Sequence, residues 1–183
     1  MDKKPVVKIE ELGSGKVISF HVNEVDPEAQ AWNLMCKWVK ENIKDYSMRK
    51  YFGYAPKGHH PEGKQHEPNE GPEKHEYVSQ MFLFSHETGN NIFSDVELTD
   101  APNGLFLVGD VILDQFNADG TIDLGTSMQK SSQFMFDRMQ EIGEYELDMG
   151  TRPFYEEHIF PKEWFDGADV LAEWKLWLPI KKK

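Results

Sequence analysis

The segment "RPFYEEHIFPKEWFDG", Arg152 to Gly167, sets two adjacent glutamates inside a run of aromatic and aliphatic residues. An extended strand sends successive side chains to opposite faces. Glu156 then shares a face with Phe154, His158 and Phe160, while Glu157 shares one with Tyr155 and Ile159. At least one carboxylate must point at apolar surface, where a buried charge needs a partner. Two chemistries follow. A carboxylate in an aromatic pocket attracts hydrophobic cations, and desolvated aromatic faces add up to about 2 kcal/mol. A carboxylate beside a tyrosine can instead act as general base on a water. The candidates for ligand contact are Glu156, Glu157, Tyr155, Trp174 and Trp177 from the second half, with Phe52, Tyr54 and Trp38 from the first. For catalysis, Glu156 or Glu157 pairs with Tyr155 or Tyr54.

Other chemistries lack their residues. Nothing matches a Ser-His-Asp triad or a phosphate-binding glycine loop. Asp119-Gly120 in "FNADGTIDLGTS" fails the ligand spacing of a calcium loop and reads as a turn. His59, His60 and His66 lie in the Gly/Pro-rich stretch 57–74, with His75 just beyond, but no zinc spacing fits and no cysteine helps. That stretch reads as a mobile, solvated excursion between two strands, placed to act as a lid. His21 reads as a satisfied strand histidine. No local signature supports His21 or His158 as a haem ligand. Neither a metal nor a cofactor is expected.

Two segments carry helical periodicity and so can position these residues. In "DPEAQAWNLMCKWVKENI", Asp26 stands at the cap and Pro27 at the first helical position. Trp32, Met35, Cys36, Val39 and Ile43 form its apolar stripe. Trp32 and Trp38, six residues apart, face different ways, one toward the core and the other toward a groove rim. In "TSMQKSSQFMFDRMQEIG", Thr126 and Gln129 form a capping box, Gly143 marks the stop, and Met128, Met135, Met139 and Ile142 form a core stripe. The remainder reads as strands. "VVKIEEL" and "KVISFHV" flank "GSG", and "DVELTDA" and "LFLVGDVIL" flank "PNG", which predicts two hairpins. After each helix comes an aromatic strand opened by an arginine, "RKYFGYAP" and "RPFYEEHIF". Each is followed by a polar loop and a closing strand, "EYVSQMFLFS" and "AEWKLWLPI". Gly53 in the first leaves room for a ligand to approach the backbone.

This order occurs twice, over about 5–85 and about 95–181. It predicts one α+β domain over residues 1–183, made of two pseudo-symmetric ββαββ-type repeats with antiparallel sheets and a central ligand cleft. The 183 residues, 39% hydrophobic and 13% aromatic, suffice for a core without staples. The net charge of −12 argues against direct nucleic-acid binding and mildly favours cationic ligands. One cysteine, Cys36, excludes an internal disulfide and fits a reducing compartment. The charged start "MDKKPVVKIEE" is no signal peptide, and no apolar run reaches membrane-spanning length. A cytoplasmic protein with no membrane partner is expected.

The succession "VKIEEL…GKVISFHV", "AWNLMCKWVKENI", "RKYFGYAP", "VELTDAPNGLFLVG", "RPFYEEHIF" and "LWLPIKK" resembles the gyrase-inhibitor-like (GyrI-like) small-molecule-binding domain, over nearly the whole chain. That family also supplies the effector-binding part of multidrug-sensing transcription regulators. The resemblance implies two SHS2-like repeats around an aromatic cleft whose carboxylate meets cationic, flat or amphipathic ligands. The family glutamate, in a Glu-x-Tyr pattern, falls on Glu156, with His158 in the tyrosine's place. Lys175 stands where the last family strand usually carries an acid, and Trp177 fills the aromatic position two before Pro179. With strand pattern from about Pro5 and no helix-turn-helix ahead of it, the chain reads as a stand-alone form. The implied function is binding of small aromatic or lipophilic cationic molecules. A hydrolase acting on a xenobiotic through a Glu/Tyr pair, as in cyclopropane-opening relatives, is the second reading. A protein-sequestering module with a protein partner is the third.

Overall fold

The computed structural model describes residues 5–56, 74–87, 96–148, 150, 152–168 and 170–183. The stretch 57–73, which holds His59, His60 and His66, lies outside them. The architecture is α+β with antiparallel strands, as the alternating and helical periods predict. The chain divides into two compact units: one of residues 1–13, 102–157 and 173–183, the other of residues 14–101 and 158–172.

In the first unit, β1 (Val7–Leu12) and β9 (Glu173–Lys182) flank β6 (Gly104–Asp110), and β7 (Tyr145–Leu147) pairs with β9. β8 (Tyr155–Ile159) enters this unit through Glu157. Helix α2 (Leu124–Ile142) covers one face. Its Met135 and Met139 pack on Leu107, Leu176, Leu178 and Ile180, with Trp174 against the same cluster. The β6–β9 register places Phe106, Val108, Lys175 and Trp177 on the other, helix-free face. The cap of α2 is Asp123, three residues before the expected Thr126. Its carboxylate accepts from Thr126 N at 2.9 Å and from Thr126 Oγ1 at 2.7 Å. Thr126 is thus the capped residue rather than the cap. Gly143 ends the helix as predicted, with φ of 75°.

In the second unit the strand order is β3 (Tyr51–Tyr54), β4 (His75–Phe82), β2 (Lys16–Glu24), β5 (Glu97–Asp100). Helix α1 (Pro27–Asn42) lies on the face carrying Ile18, Phe20, Tyr77, Ser79 and Gly53, and Ser79 Oγ donates to Ala31 O at 3.0 Å. Asp26 stands at the N-cap of α1, but its side chain makes no capping hydrogen bond. The run after β8 does not stay extended. Pro161 starts a short helix, α3 (Lys162–Phe165), which turns Trp164 and Phe165 onto Phe160.

Neither predicted hairpin forms. β1 pairs with β6, Leu12 opposite Gly104, and β2 pairs with β5, Lys16 opposite Asp100. Gly13-Ser14-Gly15 and Pro102-Asn103 therefore carry the chain out of one unit's sheet and into the other's. The glycines and proline signal a break in pairing, but nothing local distinguishes a tight turn from an extended crossing.

Candidate functional site

β8 resolves the paired glutamates. Tyr155 and Glu157 are each only 7% exposed, whereas Glu156 is half-buried on the opposite face. Glu157 Oε2 accepts from Trp177 Nε1 at 2.9 Å. Phe106 packs edge-on against both Trp177, at 5.6 Å between ring centroids, and Tyr155, at 6.0 Å. Glu157 thus lies on the helix-free face, among Tyr155, Phe106 and Trp177. No described cation forms an ion pair with it. Lys8 feels its field only weakly: Lys8 is raised above its ordinary value chiefly by its bond to Glu10, with Glu157 the smallest contribution.

The arginines that open the two aromatic strands are committed elsewhere. Arg152 donates to Asp148 and to the carbonyls of Asn103, Leu105 and Ile180, with its guanidinium 4.7 Å from the Phe106 centroid. Gly104, at φ of 100°, is where it fits: a Cβ there would meet Arg152 Nη1 at 2.6 Å. Arg49 is held by Asp45 at 2.7 Å and by both oxygens of Glu87, over the Phe84 ring at 3.8 Å. Arg49 holds the Glu87 carboxyl below its ordinary value through their hydrogen bond, and does the same to Asp45.

In the second unit the helix-free face carries Phe52 and Tyr54 from β3, Glu76, Val78, Gln80 and Phe82 from β4, and Ser19 and His21 from β2. Phe52 packs on Phe82 at 4.9 Å between centroids. His21 sits between Glu76, at 3.4 Å, and Glu97, at 3.3 Å, the paired strand histidine the sequence suggests. The Tyr54 hydroxyl is pushed up by burial first, then by Glu76 and Glu97. Among the described residues no cluster of three or more His, Cys, Asp or Glu could hold a metal. Asp119-Gly120 forms a tight turn, with Asn117 N donating to Thr121 O at 2.8 Å.

Of the residues singled out from sequence, Tyr155, Glu157 and Trp177 come together in the first unit, and Phe52 and Tyr54 share a face of the second. Trp174 and Trp38 lie on the helix-covered faces. Trp174 packs with the α2 cluster, and Trp38 contacts Phe20 at 6.1 Å. Trp32 and Trp38 are both buried, so neither forms a rim. The room expected at Gly53 is filled: a Cβ there would meet Tyr77 Oη at 1.9 Å and Trp32 Cζ2 at 3.0 Å. Gly53 serves close packing of those rings. Phe106 carries no sequence signal that separates it from the other apolar residues of β6. Gln80 does carry one, as a lone amide inside the apolar strand "EYVSQMFLFS".

No family model and no curated protein matches the sequence. Solved structures do share the fold. The EcmrR C-terminal domain aligns with a TM-score of 0.54 at 8% identity, over 98% of this chain and 99% of that one. A hydrolase from Listeria innocua aligns with a TM-score of 0.53 at 11% identity, over 97% and 92%. EcmrR in a DNA complex aligns with a TM-score of 0.53 at 13% identity, over 98% of this chain but 58% of that one. This chain therefore spans little more than half the length of the EcmrR chain seen on DNA. Among the described residues no helix is long and apolar enough to cross a membrane.

Proposed function

We propose that this chain is a GyrI-like small-molecule-binding domain that takes flat aromatic or lipophilic cations, with Glu157 as their counter-charge. The carrying observation is Glu157 itself: a carboxylate 7% exposed, oriented by one indole N–H, and without a paired cation among the described residues. Burying such a charge is costly unless another charge meets it. Tyr155, Phe106 and Trp177 supply π surface beside it. A hydrophobic cation is the ligand that both features favour. The EcmrR C-terminal domain, part of a protein captured on DNA, shares the fold. The test is thermal denaturation with a panel of lipophilic cations. A ligand at 100 times its Kd adds about 2.7 kcal/mol. A rise in melting temperature with cations such as N-methylacridinium, and none with neutral isosteres, is expected. A panel that shifts nothing contradicts the proposal.

A hydrolase is the second reading, favoured by Tyr155 and Glu157 sharing one face of β8 and by the Listeria hydrolase of the same fold. Here Glu157 would be the base for a water and Tyr155 a hydrogen-bonding acid. Product formed under turnover and lost in Glu157→Gln supports this reading. Unchanged substrate rejects it.

A further inference from the structure

Gln80 is an amide in the middle of the helix-free face of the second unit, only 5% exposed. Its neighbours in register are Phe52 on β3 and Ser19 on β2, and Ser19 in turn lies opposite Glu97 on β5. One end of the amide is fixed: Nε2 donates to Ser19 Oγ at 3.1 Å, and Ser19 Oγ is 3.1 Å from Thr99 Oγ1. The other end, Oε1, is buried and has no hydrogen-bond partner among the described residues. A buried acceptor without a donor is a rare and unfavourable arrangement, and it asks for a group from outside.

The surroundings narrow what that group is. Phe52 and Phe82 pack together beside the amide, and Tyr54 occupies the next row of the same face. Glu76 and Glu97 stand on either side of His21, and their field reaches the Tyr54 hydroxyl. An apolar aromatic surface, an acidic rim and an unfilled acceptor together suit a flat cation that carries an N–H group. We infer that Gln80 is a specificity-determining residue, selecting protonated aromatic amines over quaternary cations of the same shape by accepting an N–H at Oε1. The inference shares its ligand class with the cation-binding reading above, rests on that reading for the class alone, and is argued from the second unit's own residues.

The test uses two flat cations of one ring system: aminoacridine, protonated at neutral pH and bearing N–H groups, and N-methylacridinium, which has none. Calorimetric titration of the wild-type chain should show aminoacridine binding about tenfold tighter, the worth of one hydrogen bond in a desolvated site. In Gln80→Met, which keeps the length of the side chain and removes the acceptor, the ratio of the two affinities should fall to about one. Equal binding of both cations by the wild-type chain overturns the inference and leaves the cation reading standing. So does a preference that survives in Gln80→Met. Failure of both cations to bind the wild-type chain overturns both. The wild-type comparison needs no variant, so a Gln80→Met chain that does not fold cannot shield the inference.

Discussion

Glu157 sets a carboxylate in a place that disfavours charge, with the Trp177 indole N–H as its hydrogen-bond donor. Replacing it by an amide of the same shape preserves the bond from Trp177 and removes the buried charge. Glu157→Gln should therefore be more stable than the wild-type chain, by about 1 kcal/mol in denaturant melts, while binding cations less well. A loss of stability would mean that the carboxylate is compensated in the fold. Glu87 behaves in the opposite sense. Its carboxyl is held below the ordinary value by Arg49, so its contribution is fully present above the unfolded-state value and is lost as pH falls through the lowered one. In Glu87→Gln the melting temperature should drop by the equivalent of about 1–3 kcal/mol at neutral pH. The gap from wild type should narrow on acidification below about pH 4. A gap that widens with acid contradicts the assignment.

At the scale of elements, the arginine that opens each aromatic strand is a structural signature. Asp45 and Arg49, and likewise Asp148 and Arg152, form ion pairs four residues apart, and each guanidinium lies over a phenylalanine. Aligned on these pairs, Phe52 matches Tyr155 and Tyr54 matches Glu157. Both copies thus turn the same positions to the helix-free face, and the second puts a carboxylate where the first has a phenol. The spacing was in the sequence, but only the structure shows the arginines consumed by it and not available to Glu157. Helix periods, the stop at Gly143 and strand alternation were legible because each is a local regularity. The cap at Asp123 was obscured because Thr126 looks equally suitable, and α3 because four residues carry no period. Which glutamate is buried could not be read, since alternation fixes the two faces but not which one α2 covers. Gly53→Ala tests a packing claim at this scale. With Tyr77 Oη 1.9 Å from the new methyl group, a loss of about 1–3 kcal/mol is expected, and unchanged stability would show that the phenol moves aside freely.

The strand pairings of the whole chain do not follow its order. β1 precedes α1 in sequence but pairs with β6, and β5 precedes α2 but pairs with β2. These pairings were not legible in sequence, because partners far apart in the chain leave no local mark. Deleting residues 1–12 should strip a full six-residue ladder from β6. Amide exchange across Gly104–Asp110 should then accelerate by at least about tenfold, with β2 and β4 affected less. Uniform protection in the truncated chain would contradict the pairing. The claim that ties the scales together is that one of two neighbouring glutamates is the counter-charge for a ligand. It is tested most directly by titrating N-methylacridinium into the wild-type chain, Glu157→Gln and Glu156→Gln. The account predicts a loss of about tenfold or more in Glu157→Gln, the worth of a charged partner in a dry site, and a change of less than about twofold in Glu156→Gln. Equal affinity in wild type and Glu157→Gln, or a loss confined to Glu156→Gln, would contradict it.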